Sequence, residues 1–548
     1  MSLPALDIPP VATRRPERPD QTTAWHARAP YIVVVVIALI AGCVAVDSLP
    51  VGGFYDDAFY VLLGKSIATG HGYRNLNLPG TPFATHYPPG YPLFLALLWW
   101  VAPSFPGNVL LFKLANVAFL AVAAAFAYRL GRERMQLGVT AALIAVVAGT
   151  ATTPALYLSS MVLSETMFLA LVLPFLLWAE SRLAQAETSP RTAILLGVGA
   201  GFLFLVRSQA IALVVAVTIV YAVRRRWRGA AMTAGAAAMI ALPWLVWVAA
   251  HDGDIPSLMR GDYGSYFGWY VDGIREHGAG ILLGTLRRTL SDMFQLVAQR
   301  LRPPSLPLLS GISSLCVLLL AICGATRLAR RAPVTLTFIG AYLAIAALWP
   351  FPPTRFLLGI WVILMLLLAS GAQMLVNDRS PNVFWHRPRV RLTVQLVGGL
   401  VAAMLITGAV AYNIRGFMHR TWAVTEEASW RWIAPKVAWV RASTDTSAVI
   451  ASDHDEGAIF LYTGRRAVPV TTFTAGEYVE PRSIATDSLV LRWLALRFKA
   501  DYVLLSSSRL RPAAASISRG MLPLEDGVHQ IVPWAFATRP AASPLSSR

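Results

Sequence analysis

The chain predicts a polytopic α-helical membrane protein of about 11 transmembrane helices, closed by a small α/β domain at its C-terminal end. Three observations predict it. Hydrophobic residues make up 56% of the 548 positions and charged residues only 14%, where soluble domains carry about 25% charge. The mean hydropathy of +0.55 leaves too little polar surface to coat several water-soluble cores, and it excludes disorder. The apolar residues fall in blocks of about 15–22, separated by short basic segments.

Residues 1–30 are rich in Pro and Arg (Arg14, Arg15, Arg18, Arg28) and read as a disordered cytoplasmic arm. Residues 31–49 form a block of about 19, roughly 29 Å of helix, which matches the hydrocarbon core. The block has no small-residue cleavage site, so it is kept as an uncleaved first span. Further spans are expected near 107–128, 136–152, 160–179, 192–206, 209–223, 230–250, 308–325, 333–350, 356–376 and 392–412. The run 92–101 covers only about 15 Å as a helix and is assigned to the membrane face.

The stretch 192–223 is either one helix or a hairpin turning at Arg207-Ser208. A hairpin puts the clusters Arg129/Arg132/Arg134, Arg182/Arg191, Arg224/Arg225/Arg226/Arg228, Arg327/Arg330/Arg331 and Arg379/Arg387/Arg389/Arg391 on the side of the N-terminal arm. A single helix translocates the last three. The positive-inside rule selects the hairpin. Much of the net charge of +18 is then topology, and nucleic acid is not a partner. Cys43, Cys316 and Cys323 lie inside apolar blocks and suggest no disulfide framework.

The far side receives an outer loop at 50–91, a second at 251–307, and a domain at 413–548. In that domain a helix is expected over 422–441 and a strand over 448–452. An apolar stretch 458–462, a turn at Thr463-Gly464-Arg465, a helix near 488–498 and a strand 502–506 follow, and the last residues read as frayed. No Walker loop, GxGxxG, CxxC or HExxH occurs.

The first loop opens Gly52-Gly53-Phe54-Tyr55-Asp56-Asp57. Two adjacent carboxylates at a membrane face raise one another's pKa. One of them caps a helix over 58–69, and catalysis is compatible with that role. The same loop ends His86-Tyr87-Pro88-Pro89-Gly90-Tyr91-Pro92. Its prolines fix an extended turn and bring the polar tips of His86, Tyr87 and Tyr91 to the face of Asp56. Glu165 lies about one turn inside the fourth span; it either faces a hydrated cavity or snorkels to water.

Arg207 caps a hairpin whose arms are about 22 Å long, so it sits roughly 7 Å inside the core's edge, near phosphate depth. It is a bidentate phosphate partner, or a structural arginine paired with a carboxylate. Arg355, after Phe351-Pro352-Pro353-Thr354, is a second phosphate partner or a flanking anchor. Tyr263, Tyr266, Phe267, Trp269 and Tyr270, beside Arg260 and Asp262, form an interfacial aromatic belt or a surface that stacks on a sugar or grips a lipid chain. His251, Asp252 and Asp254 lack fixed metal-ligand spacing.

The stretch GGFYDDAFYVLLGKSIATGHGYRN…THYPPGYPLFLALLWW resembles the first loop of the GT-C membrane glycosyltransferases. It is similar to the bacterial branch with aminoarabinose transferase and the RgtA/B/C/D-like lipopolysaccharide sugar transferases, and less so to the protein O-mannosyltransferases. The resemblance covers about residues 31–376. Those enzymes usually carry Asp-Glu where this chain has Asp56-Asp57, and the aminoarabinose branch has a Glu near His86.

The resemblance implies a GT-C fold and an inverting transfer of a monosaccharide from a polyprenyl-phosphate donor to an acceptor hydroxyl. The acceptor would be a lipid, a glycan or a protein, on the periplasmic side of a bacterial inner membrane. It also implies Asp56 as base, with Asp57 and Glu165 as the other candidate catalytic acids. Arg207, Arg355 and Lys65 would bind the donor phosphate, and His86, Tyr87, Tyr91, Arg260 and Tyr263 would line the substrate. No cofactor is certain, and relatives differ in divalent-metal need.

A transporter or flippase of lipid-linked sugars is the main rival, because intramembrane charge also marks permeation paths. Against it, no two-fold hydropathy repeat is evident and the ionisable residues gather at one face. A non-catalytic scaffold would tolerate Ala at Asp56, Glu165 and Arg207.

Overall fold

The computed structural model describes residues 21–46, 49–185, 187–301, 310–349, 351–377, 388–453, 455–473, 477, 482–505, 508–516, 522–523 and 530–533. Most of the N-terminal arm, part of the second loop, the side chains of the last basic cluster and the tail beyond 533 lie outside them.

The chain is a polytopic helical protein. Among the described residues, six helices are long and apolar enough to cross a membrane: Arg28–Ala45, Val109–Glu133, Glu165–Leu183, Trp227–Asp254, Gly311–Arg331 and Leu396–Met418. The pair Val139–Thr150 and Thr153–Ser159, bent by 50°, makes up to a seventh. The other four expected spans are shorter apolar helices, Pro190–Val206, Ser208–Val223, Pro333–Ala347 and Trp361–Leu375. The first helix starts at Gln21, so the segment 21–30, expected to be disordered, is helical and carries Pro30 inside it. Ile40, Val44, Leu242 and Val246 are more than half exposed on such helices, as lipid-facing side chains are.

The break at Arg207 is a hairpin. A Cβ at Gly197 would meet the backbone of Thr233 and Ala237, and one at Gly201 would meet Ala237 and Ile240. Residue numbers rise together along this contact, so Pro190–Val206 and Trp227–His251 run parallel. Ile211–Val223 between them must therefore return. At one end of the bundle Arg134 bonds Ser181, Arg226 donates to the Gln185 carbonyl, and Arg327 donates to that of Gln136. These basic ends share one face; the two large loops and the C-terminal domain share the other.

The C-terminal domain begins after a helix that runs to Met418, six residues past the expected boundary of 412. Helix Val424–Ser443 packs on a mixed five-stranded sheet of β1 (Val449–Ser452), β2 (Arg466–Pro469), β3 (Tyr502–Leu505), β4 (Leu522–Pro523) and β5 (Gln530–Pro533). The order is β2-β1-β3-β5-β4, parallel from β2 to β3 and antiparallel from there. The apolar stretch near 458–462 is a helix, Glu456–Thr463, closed by Gly464 in the left-handed region. A buried Lys436–Asp455 pair at 2.7 Å ties the long helix to this layer. The domain docks on the first loop: the Ala467 N–H donates to the Asn77 carbonyl, and Arg466 donates to those of Leu76 and Leu78.

Candidate active site

Five chain segments build a charged centre that opens into one cavity of about 590 Å³. The first is the Gly-Gly turn. Gly52 has φ +109°, and a Cβ there would lie 2.6 Å from that of Ala458, so only glycine lets the loop pass under the C-terminal domain. Helix Tyr55–Ala68 follows, with Phe54 at its N-cap and no side-chain cap. Neither aspartate caps this helix, contrary to expectation; both sit in its first turn. About 100° of helical phase separates them. Asp56 faces the cavity. Asp57 is 3% exposed and turns back to accept the Gly52 N–H at 2.9 Å, and burial pushes its carboxyl up to about 8.

The second segment is the Pro-Pro-Gly-Tyr-Pro turn. A Cβ at Gly90 would meet the Leu205 carbonyl oxygen at 2.7 Å. That close approach seats the turn on the end of the helix before Arg207. It carries the Tyr87 hydroxyl to Asp56, where it donates to Oδ1 at 2.9 Å.

The third and fourth segments meet beneath. Glu165 opens its helix and is fully buried, so it does not snorkel. Arg207 leaves helical geometry (φ −155°, ψ 125°) and pairs with Glu165 at 2.8 Å, also donating to Ser164 Oγ at 3.2 Å. The Tyr60 hydroxyl lies 3.1 Å from the same Oγ. The fifth segment is the short helix Thr354–Leu358 after Pro352-Pro353. Its Arg355 bonds both Asp56 and Glu165. Two carboxylates and two guanidiniums thus alternate as Asp56–Arg355–Glu165–Arg207. A chain of this kind holds each charge by its neighbours in a low-dielectric site.

His86 and Tyr87 stand in the cavity wall with Asp56, Arg207 and Arg355. Other candidates lie elsewhere. Lys65 is nine residues along the helix from Asp56, over the Phe460 ring at 5.1 Å, and burial lowers its pKa. Tyr91 is buried and donates to Asn116. Arg260 is held by Asp252 and Asp272. The Tyr263 hydroxyl is buried between Asn77 and Glu456, to which it donates at 2.9 Å. The aromatic run is not a belt: Phe267 is exposed, but Tyr266 lines the cavity and Trp269 stacks on Phe473. His251 pairs with Asp254, Asp252 turns to Arg260, and no group of three or more metal-ligating side chains occurs among the described residues.

Tyr157, Trp349, Phe351, Thr425 and Ser429 also line the cavity and were not read from sequence. The wall therefore mixes aromatic rings with carboxylate and guanidinium groups. It can take a proton from a bound hydroxyl at Asp56 and meet a developing negative charge with fixed cations.

No family model and no curated protein sequence matches the chain. Solved structures do. ArnT from Cupriavidus metallidurans bound to undecaprenyl phosphate matches with a TM-score of 0.51 and 12% identity, over 94% of this chain and 100% of that one. The apo state of the same protein gives 0.52 and 13%, over 94% and 98%. At this identity the likeness is one of fold, and it extends over nearly the whole chain, membrane helices and C-terminal domain together.

Proposed function

We propose that this chain, which has the GT-C fold of ArnT, is an inverting membrane glycosyltransferase that moves a monosaccharide from a polyprenyl-phosphate donor to an acceptor hydroxyl. One observation carries the reading: Asp56 and two arginines share a single cavity at the loop face of a membrane bundle. The solved relative binds undecaprenyl phosphate, which supports a lipid-linked donor. With basic helix ends gathered at the opposite face, the positive-inside rule favours a periplasmic site in a bacterial inner membrane.

In this account the donor phosphate enters beside Arg207 and Arg355 and draws Arg355 off Asp56. The freed carboxylate takes the acceptor's proton as its oxygen attacks the anomeric carbon. The new oxygen–carbon bond forms as the bond from the anomeric carbon to phosphate oxygen breaks, and the electron pair leaves with polyprenyl phosphate. The arginines stabilise that charge. Glu165 keeps the two guanidiniums side by side and touches neither substrate. Lys65, Tyr91, Arg260 and Tyr263 hold the loops and the domain in place.

The test uses membranes from cells lacking the gene, with sugars metabolically labelled, as a joint source of donor and acceptor. Purified protein is expected to move label from the acid-labile polyprenyl-phosphate pool into an acid-stable product. No movement with the wild-type protein overturns the reading.

A further inference from the structure

His86 is among the cavity groups that the mechanism above leaves unused. His86 Nδ1 lies 2.8 Å from the Gly264 carbonyl oxygen. A carbonyl only accepts, so Nδ1 carries the proton and Nε2 carries the lone pair. The ring cannot turn away. It packs on Tyr266 with centroids 4.1 Å apart and edge-on to Tyr87 at 4.6 Å. Nε2 makes no hydrogen bond among the described residues, although the ring lines the cavity into which Asp56 opens. Burial brings the imidazole down to about 4, against the opposing pulls of Gly264 and Asp56, so the lone pair persists at neutral pH. Asp56 already has a donor on each oxygen, the Tyr87 hydroxyl on Oδ1 and Arg355 on Oδ2.

We propose that His86 Nε2 accepts a hydrogen bond from the sugar acceptor and aims its attacking hydroxyl at Asp56. The proton still goes to Asp56, and His86 stays neutral throughout. A fixed lone pair welcomes a hydroxyl and repels a phosphate or carboxylate at the same spot. The group next to the point of attack is therefore a neutral polyol face of a saccharide, not an anionic headgroup. This inference rests on the glycosyltransferase reading and deepens it.

Two amide variants separate the two ring nitrogens. Asn at position 86 places an N–H near Nδ1, which keeps the Gly264 bond and removes the distal acceptor. Gln reaches the position of Nε2 with a carbonyl oxygen and gives up the Gly264 bond. In the label-transfer assay, with unlabelled membranes from the same strain added as extra acceptor, His86→Asn is expected to lower transfer about tenfold, the usual effect of losing one hydrogen bond. More acceptor membrane is expected to recover much of that loss. His86→Gln is expected to stay within about threefold of wild type.

A purely structural histidine gives the reverse order, because Gln and not Asn then breaks the anchor. The reverse order, equal losses in both variants, or no loss in either overturns the proposal. Failure of the wild-type protein to transfer label sinks the glycosyltransferase reading itself, which is a different result.

Discussion

Asp56 and Arg355 lie 299 residues apart in the chain and form an ion pair in the wall of one cavity. Arg355 also holds Glu165, so the guanidinium is forked between two carboxylates. A lysine there presents a point charge and cannot keep both bonds in one plane. Arg355→Lys is expected to lower label transfer about 100-fold while the protein still folds. Transfer at the wild-type rate would show that the fork is dispensable.

Glu165 is fully buried beneath both arginines. Replacing it by Ala leaves two guanidiniums without their shared partner, a change that costs about 3–5 kcal/mol when a buried pair is broken. Denaturation in detergent should show a loss of that order for Glu165→Ala. Adding Arg207→Met, which removes one orphaned charge, should recover part of it. A single variant as stable as wild type would mean water already solvates this site.

Asp57 gives a pH signature of its own. Burial pushes its carboxyl in the folded state up to about 8, above the ordinary carboxylate value of 3.8. The folded state therefore binds the extra proton between those limits. The stability this supplies is present below about 4 and is lost as pH rises through about 8. The thermal midpoint of the wild type should fall across that window, and that of Asp57→Asn should fall less. Parallel curves would place the Asp57 carboxylate in water.

The Tyr87 hydroxyl donates to the Asp56 oxygen opposite the one that Arg355 holds. Tyr87→Phe keeps the ring packed against Tyr60 and His86 and removes only that donor. Transfer should fall about tenfold, with the thermal midpoint nearly unchanged. A large stability loss with normal transfer would make the contact architectural.

The membrane helices and the charged centre were legible in sequence for one reason. Hydrocarbon tolerates few ionisable groups, so Glu165 and Arg207 stand out within apolar blocks. What stayed hidden is phase and pairing. Asp56 and Asp57 are chemically alike, and only the start of the helix at Tyr55 sends one to the cavity and the other to Gly52. Tyr266, Trp349 and Phe351 look like interfacial aromatics until tertiary packing turns them inward. The family resemblance implies a site role for Lys65, but its place in the last turn of that helix carries it away from Asp56. In the C-terminal domain β2 is four residues long and β4 is two, too short for an alternating pattern to show.

The most direct measurement is sugar transfer by purified Asp56→Asn beside the wild type, with product and released polyprenyl phosphate both counted. The account predicts one polyprenyl phosphate released per sugar transferred by the wild type. For Asp56→Asn it predicts a loss of at least about 100-fold at unchanged thermal stability, the range expected for a positioned base. Transfer by Asp56→Asn at the wild-type rate would contradict it.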